Sequence, residues 1–386
     1  MTSKVYIVQC PDYNEIEEKL PFLVNLMGGM GQFARNGEKI VLKANLLREA
    51  RPERAVCTHP SVVAAVGSLA RKAGARPVIA DSPGGGYRYS AKILDKIYRT
   101  SGMLEAAQQA GIEVNRNTTS RPVSYAGGML TKHFDIITPV VEADGLFNLC
   151  KMKTHLFTVM TGAVKNLFGV IPGLIKTGYH AKLHDTMRFA GMLLDLAQYV
   201  APRLTIMDAV LAMEGDGPGS GTPRQVGLLL GARDSLAVDV VAGEIMGIDR
   251  NENPILMAAE RRGLKPNRIE EVEIVGAKLA DVKVPDFKRS QVSAGNLGLE
   301  SIPWYQRMLE PIAKNAFTVR PRVIWDRCIA CGTCIEGCPV QAVSLVNERA
   351  YIEDDACIRC YCCHELCPEE AIGLFSSWLY QLLKPA

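Results

Sequence analysis

Short apolar runs alternate with amphipathic stretches along the first three-quarters of the chain. Apolar, partly β-branched runs predict seven strands, at residues 4–10, 39–47, 76–81, 145–150, 203–210, 226–231 and 272–276. Amphipathic spacing predicts helices between them, among them residues 60–72, 185–200 and 234–246. Because several strands are apolar throughout, the pattern predicts an α/β fold, a mainly parallel sheet with helices on both faces. Ligands of such sheets bind beyond the carboxyl ends of the strands.

The length of 386 residues suits two or three domains. The alternating pattern predicts an α/β body over residues 1–295. Residues 296–318 carry no strand alternation, and they predict a connecting helix. Residues 319–386 are expected to form a small α+β ferredoxin-like domain that ends in a short apolar helix.

Nine of the twelve cysteines lie between Cys328 and Cys367, and the first 327 residues hold only three. Such a cluster indicates either disulfides or bound metal. The N-terminus lacks the basic and apolar pattern of a signal peptide, and there is no apolar run of about 18 residues that would span a membrane. We therefore expect a cytoplasmic protein without an integral membrane segment, in which the clustered thiolates bind metal.

The formal net charge of +3 is too small to favour nucleic acid or a membrane surface as a partner. Residues 319–386 carry six basic and nine acidic side chains, a net charge of −3, so the rest of the chain carries +6. A modestly basic body suits a small anionic ligand. An uneven, solvated surface explains the same numbers equally well.

The cysteine-rich segment is an internal duplication. Cys328-x2-Cys331-x2-Cys334-x3-Cys338-Pro339 is followed, 29 residues later at every cysteine, by Cys357-x2-Cys360-x2-Cys363-x3-Cys367-Pro368. Over residues 319–373 this pattern resembles bacterial two-[4Fe–4S] ferredoxins, whereas zinc sites pair CxxC units over longer gaps. The resemblance implies two [4Fe–4S] clusters and electron transfer, with a purely structural cluster as the alternative.

In two-cluster ferredoxins, the cysteine before the proline binds the other cluster. The resemblance therefore implies two interleaved groups of ligands. The first thiol set is Cys328, Cys331, Cys334 and Cys367, and the second thiol set is Cys338, Cys357, Cys360 and Cys363. Cys362 matches no ligand position, and we expect it to be a bystander.

Polar residues and glycines occur near several predicted strand ends in the body, where a sheet of this class binds ligands. They are Lys43 and Asn45, Ser82, Gly84 and Gly85, Lys153, His155 and Lys165, His180 and His184, and Glu214. The glycines would let a ligand approach the backbone closely, and their amides could hold an anion.

Lys165 precedes an apolar run at residues 167–172, and desolvation there would make its amine more reactive. Lysine can bind an anion, form a Schiff base or donate a proton. We therefore expect Lys165 and His155 to be catalytic and the other residues to bind a cofactor or substrate. A lysine on the surface of a helix is the plainer alternative for Lys165.

His180 and His184 lie four residues apart and would face one way on a helix. With His155 as a third ligand they could bind a metal, although substrate contacts or proton transfer suit them better. The body has no GxGxxG after a strand, no P-loop and no GxSxG elbow. The missing motifs argue against a tightly bound nicotinamide and a P-loop nucleotidase, while an atypical flavin site would leave no motif.

The body resembles the family called domain of unknown function 362. The segments that carry the resemblance are KANLL, THPSVVAAV, VIADSPGGG, KMKTH, TGAVKNLFGVIPG, MDAVLAMEGDGPGSGTPR and AVDVVAGEIMG, over about residues 39–248. The family name implies no reaction. Members often carry a C-terminal two-cluster domain, which implies an iron–sulfur protein from a prokaryote.

A more distant similarity concerns His155, Gly162, Lys165 and the Pro172-Gly173 pair. Their order is similar to that in nickel-pincer lactate racemases, where the lysine holds a nicotinate-derived cofactor. This chain lacks the paired glycines just before the lysine. The similarity therefore implies a small anionic molecule near Lys165 rather than that cofactor.

Together these features predict an iron–sulfur oxidoreductase that passes electrons through two [4Fe–4S] clusters to a small anionic substrate or cofactor at the strand ends. A redox partner protein is expected to deliver the electrons. The alternative is an electron carrier or maturation factor for a partner enzyme, with the body as a docking or ligand-sensing module. A structural cluster on an anion-binding protein is a third possibility, and the sequence leaves the oligomeric state open.

Overall fold

The computed structural model describes residues 2–290 and 319–376. The connecting helix expected at 296–318 lies outside the described residues, and so does the expected C-terminal helix from residue 377 onward. The first residues of that expected helix, 373–375, belong instead to a strand.

A nine-stranded sheet forms the centre of the body. The body strands are β1 (Ser3–Gln9), β2 (Lys39–Lys43), β3 (Arg76–Ile79), β4 (Glu113–Val114), β5 (Ser120–Ser124), β6 (His133–Ile137), β7 (Gly145–His155), β8 (Val159–Met160), β9 (Leu204–Glu214), β10 (Thr222–Ala232) and β11 (Val272–Gly276). The order is β11-β1-β10-β9-β7-β2-β3-β4, β8 pairs with β7, and β5 and β6 form a separate antiparallel pair. Along that order only β10 is antiparallel to its neighbours. The sheet is therefore mainly parallel, as predicted.

Helices cover both faces of this sheet. They are α1 (Ile16–Leu26), α2 (Pro60–Lys72), α3 (Ala91–Thr100), α4 (Met103–Ala110), α5 (Thr138–Val141), α6 (Gly162–Asn166), α7 (Ile175–Lys182), α8 (Thr186–Val200), α9 (Ser235–Ile245), α10 (Pro254–Arg261) and α11 (Leu279–Val282). Ile40 and Leu42 of β2 pack with α1 to α4, whereas Val41 packs with α8 and α10 on the other face. Alternate side chains of one strand thus enter two cores, which explains its uninterrupted apolar pattern.

Local signals in the sequence set the ends of several helices. α2 begins at Pro60, as predicted, because a proline in the first turn loses no intrahelical hydrogen bond. The Asp234 carboxylate accepts from the N–H of Leu236 and caps α9, also as predicted. Asp185 caps α8 in the same way through the N–H of Arg188.

β7 is five residues longer than its apolar run predicted, since it continues from Cys150 to His155. Lys151 and Lys153 are both fully buried within it. Lys151 stays inside because its Nζ lies 2.7 Å from Oδ2 of Asp208 on the neighbouring β9. The lysine-rich segment that follows the predicted strand is therefore part of the sheet.

Residues 319–376 form a separate small unit, here called the ferredoxin module. Its elements are β12 (Arg320–Val323), α12 (Thr333–Glu336), β13 (Val343–Val346), β14 (Arg349–Ile352), α13 (Cys362–Leu366) and β15 (Ile372–Phe375). β12 pairs with β15 and β13 with β14, both antiparallel. Cys334, Cys363 and Cys367 belong to its small core.

Candidate functional site

The carboxyl ends of β2 and β3 hold a buried ion pair. Nζ of Lys43, the last residue of β2, lies 2.8 Å from Oδ1 of Asp81, just beyond β3. Oδ2 of Asp81 accepts from the N–H of Leu46 over 2.7 Å. Gly169 leaves room for the pair, because a Cβ there would lie 2.1 Å from Oδ1 of Asp81 and 2.6 Å from Nζ of Lys43.

Lys153 on β7 is a second buried lysine, and its hydrogen-bond partners are neutral. Nζ donates to Oδ1 of Asn45 over 2.8 Å and to the carbonyl oxygen of Val56 over 2.7 Å. Burial lowers the pKa of this ammonium to about 7. Lys153 is therefore protonated in only part of the molecules at neutral pH. An anion bound beside it would stabilise the protonated, charged form.

Lys176 and His180 lie one turn apart on α7, and both are buried. Nζ of Lys176 donates to Oγ of Ser82 over 2.8 Å and to the carbonyl oxygen of Ile171 over 2.7 Å. The ring of His180 stacks on Phe189 with 4.5 Å between centroids, and burial lowers the pKa of His180 to about 3. Its imidazole is therefore neutral at physiological pH.

The last residue of β7, His155, has a fixed tautomer. Its Nδ1 accepts from the backbone N–H groups of Phe157 and Thr158, over 3.0 and 3.3 Å. The proton of the neutral ring is therefore on Nε2, which lies 3.3 Å from Oε1 of Glu365 in the ferredoxin module. Burial, followed by the nearby Lys165, holds the pKa of His155 well below its usual value.

Lys165 on α6 differs from the other lysines nearby. Within the described residues its Nζ has neither a hydrogen bond nor an ion pair, and it lies over aromatic rings instead. The distance from Nζ is 4.8 Å to the ring centroid of Phe168 and 5.5 Å to that of Phe189. Burial lowers the pKa of this ammonium, while Glu365 acts in the opposite direction.

These side chains line one small space between the body and the ferredoxin module, here called the lysine cavity. Its free volume is about 60 Å³, which corresponds to about four to six water-sized groups. Four lysines and two histidines of the body face it, against the carboxylates of Asp81 and Glu365. Cys362, Glu365 and Leu366 of α13 form the wall on the module side.

Several buried polar atoms around the lysine cavity are unsatisfied. Within the described part of the chain, no hydrogen-bond partner exists for Oγ1 of Thr161, Nδ1 of His180 or Oε1 of Glu365. The contact between Glu365 and His155 is close but lacks hydrogen-bond geometry. Buried polar atoms in native proteins are normally paired with protein groups or ordered water, so these three atoms can bind water or a polar ligand.

The loop after β3 that contains Gly84, Gly85 and Gly86, here called the glycine loop, packs against the ferredoxin module. A Cβ on Gly86 would lie 2.1 Å from Cδ1 of Leu366, and a Cβ on Gly84 would lie 2.8 Å from Cδ2 of the same side chain. A Cβ on Gly337 of the module would lie 2.8 Å from Cα of Gly86. Gly84 and Gly86 thus leave room for Leu366 as a wall of the lysine cavity. Gly84 and Gly85, which the sequence analysis expected to let a ligand approach, also line this cavity.

Charged residues hold the two units together beside this loop. Arg48 and Arg54 of the body both pair with Glu370 of the module. Arg48 also donates to the carbonyl oxygen of Gly219 over 2.7 Å. The loop that contains Gly219 thus contacts the same side of the module.

In the module, all four cysteines of the first thiol set line one cavity with a free volume of about 20 Å³. Cys367 belongs to the second motif, and its thiol lies at the same cavity as three thiols of the first motif. The Sγ atoms of Cys328 and Cys367 accept from the N–H groups of Ala350 and Ala371, over 3.4 and 3.2 Å. N–H donors to sulfur stabilise thiolates, as iron–sulfur clusters require.

The second thiol set also clusters. Burial raises the pKa of Cys363 well above its ordinary value, and the charges of Cys360, Cys357, Cys334 and Cys338 raise it further. Sγ of Cys338 accepts from the N–H of Ala342 over 3.1 Å. Cys334 belongs to the first thiol set, and its charge raises the pKa of Cys363 in the second. The two thiol sets therefore lie next to each other.

The donor chemistry of both sets fits [4Fe–4S] clusters. In residues 2–290 and 319–376, no three histidine, cysteine or acidic side chains converge to hold a single metal ion. Four soft thiolates in each set are the ligands that a [4Fe–4S] cluster takes. Cys362 points elsewhere: it is almost fully buried and lines the lysine cavity.

Nine of the eleven body residues that the sequence singled out line the lysine cavity: Lys43, Asn45, Ser82, Gly84, Gly85, Lys153, His155, Lys165 and His180. His184 does not join them. α7 ends at Lys182 because Leu183 leaves helical geometry and packs into the core, so His184 is exposed beyond the helix and does not share a face with His180.

Glu214 is also separate from the lysine cavity. It ends β9, where its carboxylate accepts from the N–H of Lys288 over 3.0 Å and pairs with Arg224 at 3.9 Å. The sequence did not single out Lys176, Asn166, Glu365 or Leu366, which do line the cavity. Cys362, which it treated as a bystander, lines the cavity as well. Lys176 had a usable signal, since it stands four residues before His180 on the same helix.

Comparisons with known proteins agree with this two-part organisation. The model of the family described as domain of unknown function (DUF362) matches residues 40–244, and that of a 4Fe-4S dicluster domain matches residues 320–368. A thylakoid-associated protein from Synechocystis is 35% identical over 306 residues, which cover 74% of this chain and 91% of that protein.

One solved structure, the lactate racemase apoprotein from Thermoanaerobacterium thermosaccharolyticum, is similar with a TM-score of 0.40 and 12% sequence identity. The match covers 63% of this chain and 57% of that chain. Among residues 2–290 and 319–376, no helix combines the length and the apolar character needed to cross a membrane.

Proposed function

We propose that this chain, which belongs to the DUF362 family and is an iron–sulfur protein, is an oxidoreductase that acts on a small anionic molecule in the lysine cavity. The observation that carries the proposal is the position of α13. This helix contains Cys363 of the second thiol set and, on the same five residues, the cavity-lining Cys362, Glu365 and Leu366. The wall of the ligand site is thus also part of a cluster site.

The first thiol set would hold one [4Fe–4S] cluster and the second thiol set the other. Bound clusters would supply one-electron transfer to a molecule in the cavity. The chain's own residues would do the rest. Lys153 would bind the anion, Nε2–H of His155 would donate a hydrogen bond to it, and Lys165 would bind or protonate it. Burial would exclude bulk water and strengthen each of these interactions.

A second observation supports a protein that brings electrons. The ferredoxin module contributes half of the large hydrophobic side chains that are exposed among the described residues: Trp325, Ile329, Leu345, Val346, Tyr351 and Phe375. Ile329 and Leu345 also line the cavity of the first thiol set. An apolar surface beside a cluster site suits transient docking of a redox partner. The same surface would serve an electron carrier, which is the alternative function.

Anaerobic purification tests the proposal in two steps. The full chain should contain about eight iron atoms, and denaturation should release a small anionic compound that mass spectrometry can identify. The compound should be present with wild type and with Lys182→Met, an exposed lysine on α7, and absent with Lys165→Met.

The released compound is then added to dithionite-reduced protein, and the visible absorbance of the clusters is followed. Reoxidation by wild type and Lys182→Met, but not by Lys165→Met, supports an oxidoreductase. If the compound binds without reoxidising the protein, the oxidoreductase proposal is wrong and the electron-carrier function takes its place.

A further inference from the structure

We propose that the lysine cavity takes a small 2-oxo acid and holds it as an imine on Lys165. This inference deepens the proposed function and rests on it, because it names the substrate class of the same site.

The nucleophile is singled out by its surroundings. Lys43 has an ion pair, and Lys153 and Lys176 donate to acceptors of the protein. Nζ of Lys165 has neither kind of partner in the described residues and lies against the ring of Phe168. Desolvation in the cavity favours the neutral amine, against the opposing effects of the Glu365 carboxylate and the ring face of Phe168. The neutral form has a lone pair that can attack a carbonyl carbon. The lowered pKa of Lys165 agrees with this.

The rest of the cavity supplies recognition of a carboxylate. Protonated Lys153 keeps one N–H beyond those that it donates to Asn45 and Val56. Nε2–H of His155 is a neutral donor whose tautomer is fixed by the backbone. The hydroxyl of Thr161, which is 4% exposed, has no partner in the described residues and can add a further hydrogen bond. These groups surround a cavity of about 60 Å³, which suits a ligand of about four to six heavy atoms. An acid with a carbonyl group next to its carboxylate fits both the size and the donors.

Imine formation is balanced without any redox reagent. The nitrogen of Lys165 attacks the carbonyl carbon, a carbon–nitrogen bond forms and the carbon–oxygen bond breaks. The carbonyl oxygen leaves as water with the two protons of the amine. The imine keeps the oxidation level of the parent carbonyl and lies beside α13, the helix that also contains Cys363.

Borohydride trapping tests the imine without requiring electron transfer. The full-length, anaerobically purified protein is mixed with glyoxylate and sodium borohydride, and modified lysines are located by peptide mass spectrometry. We expect one carboxymethyl group on Lys165, its loss in Lys165→Arg, and its retention in Lys182→Met. Glycolate, which has the carboxylate but no carbonyl, should give no label and should compete with glyoxylate.

Calorimetric titration with the same two acids separates the inference from the proposed function, and the unfolding curve of Lys165→Arg checks that this variant folds. If glyoxylate binds to the wild type but Lys165 stays unlabelled, the imine is wrong while the anion site stands. If neither acid binds and no label forms, both the inference and the proposed small-anion site are wrong. Labelling that is equal at Lys165 and the exposed Lys182 would also overturn the inference.

Discussion

Gly86→Ala should loosen the ferredoxin module from the body. The new Cβ would lie 2.1 Å from Cδ1 of Leu366, and the nearest backbone atom, Cα of Gly337, would be 3.2 Å away. Over-packing of this kind costs about 1–3 kcal/mol when the neighbours cannot move. If this free energy is lost from the docking of the module on the body, the fraction of molecules with an undocked module rises about 5- to 150-fold.

Cys362 reports on docking because it is 3% exposed and lines the lysine cavity between the two units. The rate at which iodoacetamide modifies this thiol, read by peptide mass spectrometry on anaerobic protein, follows the open population when opening and closing are fast. We expect the rate to increase by the same factor as that population.

Two further variants make the test specific. Gly31→Ala is the matched control, since a Cβ there meets nothing within 4 Å. In the double variant Gly86→Ala/Leu366→Ala the clash is gone, so the double variant should react no faster than Leu366→Ala alone. A Gly86→Ala rate equal to that of Gly31→Ala would show that packing of the glycine loop does not bury Cys362.

Three other predictions concern the two sites. Lys43→Met leaves Asp81 unpaired and should lower the free energy of unfolding in urea by about 3–5 kcal/mol; a loss as small as that of the exposed Lys182→Met would contradict it. Because Lys153 loses its charge as the pH rises through about 7, glycolate affinity measured by calorimetry should fall above that pH, and a profile that stays the same in Lys153→Met would count against this role. Cys363→Ser should reduce the iron content per chain and Cys362→Ser should not, and equal iron in both variants would refute the ligand assignment.

The sequence predicted the sheet and most of the body side of the lysine cavity because both follow from local patterns. Apolar runs and caps such as Asp234 act on neighbouring residues, and the ends of parallel strands meet at one edge of a sheet. Lys43 stood out because an apolar strand has no structural need of an ammonium group, and Lys153 because it follows the end of a predicted strand.

What the sequence could not predict depends on packing between distant segments. The position of α13 against the glycine loop is fixed by contacts between Gly86 and Leu366, which are 280 residues apart in the chain. His184 was wrongly placed on a helical face because the end of α7 depends on the burial of Leu183.

The brevity of α13 makes the cavity wall sensitive to oxygen. A helix of five residues has no stability of its own, so it must be held by its surroundings. Cys363 lies within it and Cys367 directly follows it, and in the proposed assignment each is bound to a different cluster. Oxidative loss of iron would therefore free α13 both at Cys363 and at Cys367. Damage to the clusters and exposure of the four lysines to water would then occur together. An oxidised molecule would therefore lose both its clusters and the ligand of the lysine cavity.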